Sequence, residues 1–489
     1  MLARVLRVLL VISLLLPLGL VLPALAADDF TEGLSAFNKG DYETAIARFT
    51  AAAEANQNDV TLLAWLGLAQ LKAGKPEQAE QTLTKALAVD PKVPEVHHNL
   101  GNALWELGKT KEAIEQYQQT IYLQPHYVPP HYNLGAAYLA LGQLEQATGE
   151  FAVAAELDPK NAQAHNNLGV CYERAGNLTE AVECYRRAVA LDQGNHAFRL
   201  NLALALRSLG KQDEAAEQLS RLAAAGSKDP LVYVNLGSIR FERAASAATP
   251  AAEYKLAAES FYQAIALDRA NAAAHYDLGL CLRQLGLRAE AKEAFQLAVA
   301  SDPSLVDAQL NLGAMELDDG NASAAVERFS AALKAEPTSY VAAFNLGLAS
   351  VRAGNDEDAL RVWANLAERQ PTDPAVREAL ASTYFRLHRY DEAKREYLAL
   401  LQLRPQDPAA NNNLGIIYEE FGQFDEAAAA YQRALAIDAK YARAHNNLGV
   451  LYERQKKLDE ARAEYQAAVA ADPNLADARR NLERLKTLE

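Results

Sequence analysis

The chain has 489 residues, half of them hydrophobic, with 25 Gly, 18 Pro and a formal net charge of −15. That apolar fraction argues against a disordered polymer. A charge this negative makes a nucleic acid an improbable partner and favours a basic or neutral polypeptide. Alanine and leucine dominate while β-branched residues are sparse, which points to helix rather than strand.

Residues 1–26 read MLARVLRVLLVISLLLPLGLVLPALA. Arg4 and Arg7 make a basic start, an apolar run extends from Val8 to Leu22, and Ala24-Leu25-Ala26 is a small-x-small cleavage site. This is the pattern of a secretory signal peptide. The run holds Pro17 and is short against the roughly 20 residues needed to span a bilayer. Membrane attachment is expected only if the segment stays uncleaved. No Cys follows the site, so a lipid-modified terminus is not indicated. The expectation is export, to the bacterial periplasm or cell envelope. Loss of two arginines with the leader would move the net charge from −15 to −17.

From residue 28 onward the chain repeats itself. The string AHNNLGV occurs at 164–170 and again at 444–450. Its glycine, or an alanine in the same slot, recurs at Gly33, Gly67, Gly101, Gly135, Gly169, Ala203, Gly237, Gly279, Gly313, Gly347, Ala381, Gly415 and Gly449. Every step is 34 residues except Gly237 to Gly279, which is 42. The array is therefore thirteen repeats of 34 with one insertion of eight.

With that glycine at position 8, position 20 is Ala in all thirteen repeats and position 15 is Gly in ten. Position 24 is aromatic or Leu, and position 32 is Pro in eight. The spacing predicts one amphipathic helix over positions 1–14, closed by the glycine at 15. A second helix is predicted from about 18 to 31, closed by Pro or Asp-Pro. Small residues at 8 and 20 let the two approach, and the large residue at 24 fills the space beside them. Stacked hairpins bury what one hairpin cannot. The insertion, near 242–256, is expected to lengthen both helices of repeat seven by a turn, with Thr249-Pro250 as a helix start. Residues 476–489 read as a capping helix whose basic residues suit its C-terminal end.

The pattern resembles the tetratricopeptide repeat family over residues 28–475, and NLGVCYERAGNLTEAVECYRRAVALDQ at 167–193 carries nearly every family position. The departures are Ala203 and Ala381 at position 8, His388 and Lys456 at position 15, and Glu32 in the first repeat. The resemblance implies an all-α, right-handed superhelical solenoid, first helices lining its concave face and second helices its convex face.

Position 6 is Asn99, Asn133, Asn167, Asn201, Asn235, Asp277, Asn311, Asn345, Asn413 and Asn447, and Asn481 continues the series in the cap. Asparagine is a mediocre helix former, so helix propensity does not account for it. It could support the interface between repeats. It could also clasp peptide units, since an amide both donates and accepts. The ladder is similar to the one in the repeat domain of the O-linked N-acetylglucosamine transferases. That likeness implies sequence-tolerant binding of an extended polypeptide through its backbone. The resemblance is to the repeats alone, and no transferase domain is expected.

Around the ladder, expected concave positions include Leu200, Leu204, Val234, Phe241, Tyr276, Leu280, Leu310, Leu317, Phe344 and Leu348 in repeats six to ten. Towards the ends they include Glu95, Glu106, Glu419, Glu420, Glu453 and Arg454. Phe241, Tyr276 and Phe344 are the candidate aromatic contacts for a partner. The carboxylate clamp of chaperone-adaptor repeats is absent: His98, Tyr132, Asn166 and Leu200 fill the equivalent slots.

His97, His131, His165, His275 and His445 share position 4, a slot for large core residues. Neighbouring repeats hold them about 10 Å apart, too far for one metal ion. Cys171 and Cys184 could bridge adjacent helices, while Cys171 and Cys281 also share one buried repeat position. No catalytic, phosphate-binding or dinucleotide motif occurs. The expectation is a non-catalytic binding scaffold without cofactor or metal, whose partner is a protein or peptide rather than a small molecule. The alternative is a structural assembly factor of the cell envelope, working through its convex face or the repeat-seven hairpin.

Overall fold

The structure, a computed structural model, describes residues 24–486. The leader expected over 1–26 lies outside the described residues but for its last three positions, which begin the first helix. The described residues form 27 helices and no strand. By internal packing the chain divides into two compact units, residues 1–239 and 240–489.

The first unit opens with α1 (Ala24–Asn38), α2 (Tyr42–Ala55), α3 (Val60–Lys72), α4 (Pro76–Val89), α5 (Pro94–Glu106) and α6 (Thr110–Leu123). It continues with α7 (Val128–Ala140), α8 (Leu144–Leu157), α9 (Ala162–Arg174), α10 (Leu178–Leu191), α11 (His196–Ser208) and α12 (Gln212–Ala224). The division falls within α13 (Pro230–Ala244). The second unit holds α14 (Pro250–Leu267), α15 (Ala272–Gln284), α16 (Arg288–Ser301), α17 (Val306–Asp318), α18 (Ala322–Ala335), α19 (Tyr340–Arg352) and α20 (Asp356–Arg369). It ends with α21 (Pro374–Arg386), α22 (Tyr390–Leu403), α23 (Pro408–Glu420), α24 (Phe424–Ile437), α25 (Ala442–Arg454), α26 (Leu458–Ala471) and α27 (Ala476–Lys486). Odd-numbered helices are the first of each pair and even-numbered the second, with α27 alone at the end.

Helices occupy positions 1–13 and 17–30 of the repeat, so the second starts one residue earlier than its pattern suggested. The residue before the first helix often caps it. Asp59, Asn161, Asn195, Asn271, Ser339, Asp373 and Asp407 each accept a backbone N–H of the first turn. Position 15 takes a left-handed backbone, as at Gly108 with φ 74°. His388 and Lys456 hold the same turn at φ 58° and 61°, a conformation that side chains disfavour.

Within a pair the helices meet at position 8. A Cβ on Gly347 would lie 2.3 Å from the Trp363 ring, and one on Gly415 would lie 2.4 Å from the Tyr431 ring. Opposite, the position-20 alanine is fully buried in every repeat, from Ala45 to Ala461. Successive pairs are then fastened by position 4. His97, His131, His165, Arg199, Tyr233, His275, Gln309, Arg377 and His445 each reach the carbonyl six residues earlier, at the end of the preceding repeat, over 2.9–3.2 Å. Expected only to pack, these histidines are staples between repeats. In the first repeat Asp29 takes the slot and pairs with Arg48 at 2.9 Å.

The insertion is spread over the repeat-seven hairpin. Against the usual 13 and 14 residues, α13 has 15 and α14 has 18, so α14 alone gains a full turn. The ring of Phe241 packs on Tyr254 at 5.2 Å, and the Arg240 guanidinium donates to the Leu256 carbonyl and the Ser260 hydroxyl. In the cap, Ala478 and Leu485 are buried and Arg484 pairs with Glu453 at 2.8 Å. All three cysteines are free thiols.

Two opposed glycine substitutions check this packing. Gly347→Ala, forced against Trp363, is expected to cost about 1–3 kcal/mol. Gly149→Ala, in the exposed middle of α8 with nothing within 4 Å of its Cβ, is expected to gain about 0.5–1 kcal/mol. Urea-unfolding midpoints measure both. The same assay should show Lys456→Gly stabilising by about 1 kcal/mol through relief of the left-handed turn.

Candidate functional site

Several position-6 amides reach from their first helix to the preceding repeat, as Asn133 does to Asn102 and Asn201 to Asn166. In the first unit Asn99, Asn133 and Asn167 are buried, at 5, 4 and 4% exposure, while Asn201 and Asn235 are half-buried. Most of these amides are already bonded. Asn201 Nδ2 donates to Asn166 Oδ1 one repeat earlier at 2.9 Å, Asn166 donates to Asn167 at 3.2 Å, and Asn167 donates to the Tyr132 hydroxyl at 3.0 Å. Asn133 donates to Asn102 Oδ1 at 2.8 Å, which also accepts the Tyr117 hydroxyl at 3.0 Å. Asn235 donates to the Leu231 carbonyl and accepts from Arg207.

Beside Asn102 lies His98, almost fully buried. Burial pushes this imidazole down to about 4, so it is neutral and accepts from Asn102 through Nε2 at 3.2 Å. Glu106 on the same helix is pushed up by burial, with Lys72 opposing the shift. These groups serve the packing of first helices against one another.

In the second unit the ladder has two parts. Around α23, α25 and α27 it is a continuous relay: Asn481 donates to Asn446 (3.0 Å), Asn446 to Asn447 (3.4 Å), Asn447 to Asn412 (3.0 Å), Asn412 to Asn413 (3.3 Å) and Asn413 to the Tyr397 hydroxyl (2.8 Å). The Asn-Asn doublets at 166–167, 412–413 and 446–447 are the sequence trace of this relay. Glu419 and Glu453 are likewise engaged, each accepting a buried tyrosine hydroxyl, from Tyr431 at 2.6 Å and Tyr465 at 2.8 Å. Burial pushes the Glu419 carboxyl up, partly offset by the Tyr431 hydrogen bond and Arg454.

On α15, α17 and α19 the arrangement differs. Asp277 is half-buried, and Asn311 donates to the Asp307 carbonyl while accepting from Arg283. Asn345 is half-buried and no described residue hydrogen-bonds its amide, a state it shares only with buried Asn99 among the ladder residues. Flanking Asn345 on α19 are Val341, Phe344 and Leu348, one stripe at i, i+3 and i+7. Val341 is 50% exposed and Leu348 37%. The Phe344 ring stacks on Tyr340 at 5.7 Å and tilts against Trp363 at 6.2 Å, which holds it rigid while it stays half-exposed. Tyr276, Leu280, Leu310 and Leu317, on α15 and α17, are half-buried too. Phe241 is half-buried, with its ring spent on Tyr254 in the hairpin.

Burial pushes the thiols of Cys171 and Cys184 up to about 11 and that of Cys281 up to about 12, which makes them poor nucleophiles. Among the described residues no group of three His, Cys, Asp or Glu could hold a metal ion, and no helix is long and apolar enough to cross a membrane.

Models of the tetratricopeptide repeat match residues 36–103, 132–196, 174–234, 272–305, 316–383, 378–442 and 419–476, and a further repeat model matches 101–142. The chain belongs to the tetratricopeptide repeat family. Between the matched segments only 235–271, which holds the enlarged hairpin, and 306–315 are left over. Tetratricopeptide repeat proteins are in general scaffolds for protein–protein interaction rather than catalysts. No curated protein matches the chain. Among solved structures, MamA is 27% identical over 33% of this chain and 94% of its own, with a TM-score of 0.32. A tetratricopeptide repeat protein from Parabacteroides merdae is 21% identical over 53% of this chain and 100% of its own, at 0.38. The Naa15/Naa10 complex bound to HypK-THB is 15% identical over 95% and 96%, at 0.37. Likenesses at these TM-scores carry no functional argument.

The two parts of the second unit's ladder predict opposite outcomes. Asn412→Ala removes an acceptor for Asn447 and a donor to Asn413, at an expected cost of about 1–2 kcal/mol. Asn345→Ala, which breaks no hydrogen bond, should stay within about 0.5 kcal/mol of the parent. Urea-unfolding midpoints of the two variants make the comparison.

Proposed function

We propose that the chain is a non-catalytic, exported scaffold that binds an extended polypeptide segment on the free face of α15, α17 and α19. The observation that carries this is α19, where Val341, Phe344 and Leu348 offer apolar surface around the unbonded amide of Asn345. A rigid aromatic beside exposed aliphatic groups is the kind of anchor on which binding energy concentrates. A half-exposed amide with donor and acceptor both open can pair with one peptide unit of an extended chain.

Support for the other rungs is uneven. Where Asn amides are already bonded to one another, as at Asn201, Asn413 and Asn447, a peptide would have to compete with a bond that stabilises the array. The proposed contact set therefore narrows to Tyr276, Leu280, Leu310, Leu317, Val341, Phe344, Asn345 and Leu348. Placement outside the cytoplasm, in the periplasm or envelope of a bacterium, is proposed on the leader pattern of residues 1–26. The partner is proposed to be neutral or basic overall, given the net charge of −15.

Panning a random peptide library against the full chain tests the proposal. Peptides with an apolar centre should enrich, and Leu348→Asp together with Val341→Asp should abolish their binding. Asn345→Ala should weaken it by about 5–10-fold, the value of one or two hydrogen bonds. Binding that survives the two aspartates and is lost instead on changing exposed residues of second helices, such as Tyr262, would place the site elsewhere.

A further inference from the structure

Some position-4 staples have a second hydrogen-bonding arm, whose chemistry differs between repeats, while others, such as His275, bond only the carbonyl. In repeats 4 and 13 that arm meets a carboxylate. His131 Nδ1 lies 2.7 Å from Glu150 Oε2 and its Nε2 lies 2.9 Å from the Pro125 carbonyl. His445 Nδ1 lies 2.6 Å from Glu464 Oε2 and its Nε2 lies 3.2 Å from the Ala439 carbonyl. Both partners of each ring are acceptors when the carboxylates are ionised. A neutral imidazole has one donor and one lone pair, so it can satisfy one contact and must turn its lone pair on the other. The imidazolium satisfies both.

Other repeats carry the same staple without that demand. His97 faces Gln116 at 2.7 Å, and an amide can present its NH2 as readily as its oxygen. Arg199 donates to Gln218 and Arg377 to Glu396 at 3.0 and 2.7 Å, and arginine keeps its donors at any physiological pH.

We infer that the staple of repeat 4 is proton-operated: the ring of His131 fastens its junction in mild acid and slackens it as the medium turns alkaline, while the junctions stapled by Arg199 and Arg377 do not respond. The ring is held in place for this, with a side-chain exposure of only 7%. For His131, burial on α7 pulls the imidazole down, but the Glu150 hydrogen bond from α8, the Pro125 carbonyl from the connection after α6, and the Glu150 charge together leave it above its ordinary value. No other charge among the described residues of the neighbouring helices acts on its titration. A proton held more tightly in the folded state contributes stability that is complete below the unfolded imidazole value of about 6.5 and is lost as pH rises through the folded one.

Amide hydrogen exchange of the full chain at about pH 6 and about pH 8, corrected for intrinsic rates, tests this. Peptides covering 124–135 should lose protection about threefold or more at the higher pH. Peptides covering 90–101 and 370–381, beside the His97 and Arg377 staples, should not. His131→Arg copies the Arg377–Glu396 pair that the fold already accepts and should hold protection constant. Glu150→Gln should also remove the pH response, since an amide can donate to the neutral ring. An equal loss in all three peptides, or a pH response that persists in the Gln variant, would overturn the inference.

Discussion

Everything in this molecule depends on how closely two helices can approach at one point. At the position-8 glycines a side chain would collide with the position-24 ring or leucine, whose nearest atom lies 2.3 to 3.0 Å from where a Cβ would be, and the two departures, Ala203 and Ala381, add no more than a methyl. The position-20 alanine seals the same contact with no solvent exposure in any repeat. Such close packing gains dispersion contacts and apolar burial along the whole pair. It also fixes which face of the first helix is used up. With positions 3, 7, 8, 10 and 11 turned to the second helix and its neighbours, as in α19, the opposite face is left to other work.

That free face is used in two ways. Around α23, α25 and α27, and around α7, α9 and α11, neighbouring asparagines and tyrosines hydrogen-bond from one first helix to the next. Each amide is kept from being an unpaired polar group, and each relay fixes the offset between adjacent repeats. On α15, α17 and α19 the relay is interrupted: large apolar side chains stand where the relay would place amides, and Asn345 is left unbonded. A surface that gives up an internal bond and exposes valine and leucine has a physical reason to be covered by something else.

The hairpins, their phase and the place of the insertion were legible because each follows from local spacing: a glycine where φ must be positive, a glycine where a ring must fit, an alanine where a helix must pass. Even the two strained turns at His388 and Lys456 were visible as departures from the glycine pattern. The partners of polar side chains were not. The position-4 histidines looked like core residues because their acceptor is a backbone carbonyl, which has no sequence signature. Whether Asn167 reads a ligand or bonds Tyr132 depends on the offset between helices 35 residues apart in the chain, which spacing alone does not reveal. The aromatic candidates divided for a similar reason. Phe344 is propped by Tyr340 and Trp363 in a half-exposed position, whereas the ring of Phe241 is taken up by Tyr254, a residue of the enlarged hairpin.

Two kinds of surface thus arise from one repeat, a self-satisfied ladder and an apolar stripe with an open amide. The direct measurement is a photo-crosslinking amino acid at position 344 of the full chain, with mass spectrometry of whatever it captures under native conditions. The account predicts one dominant adduct, attached through an apolar stretch of an extended polypeptide and competed away by that peptide. Adducts no more frequent than those from a crosslinker at exposed Tyr262, on the opposite layer of the same unit, would contradict it.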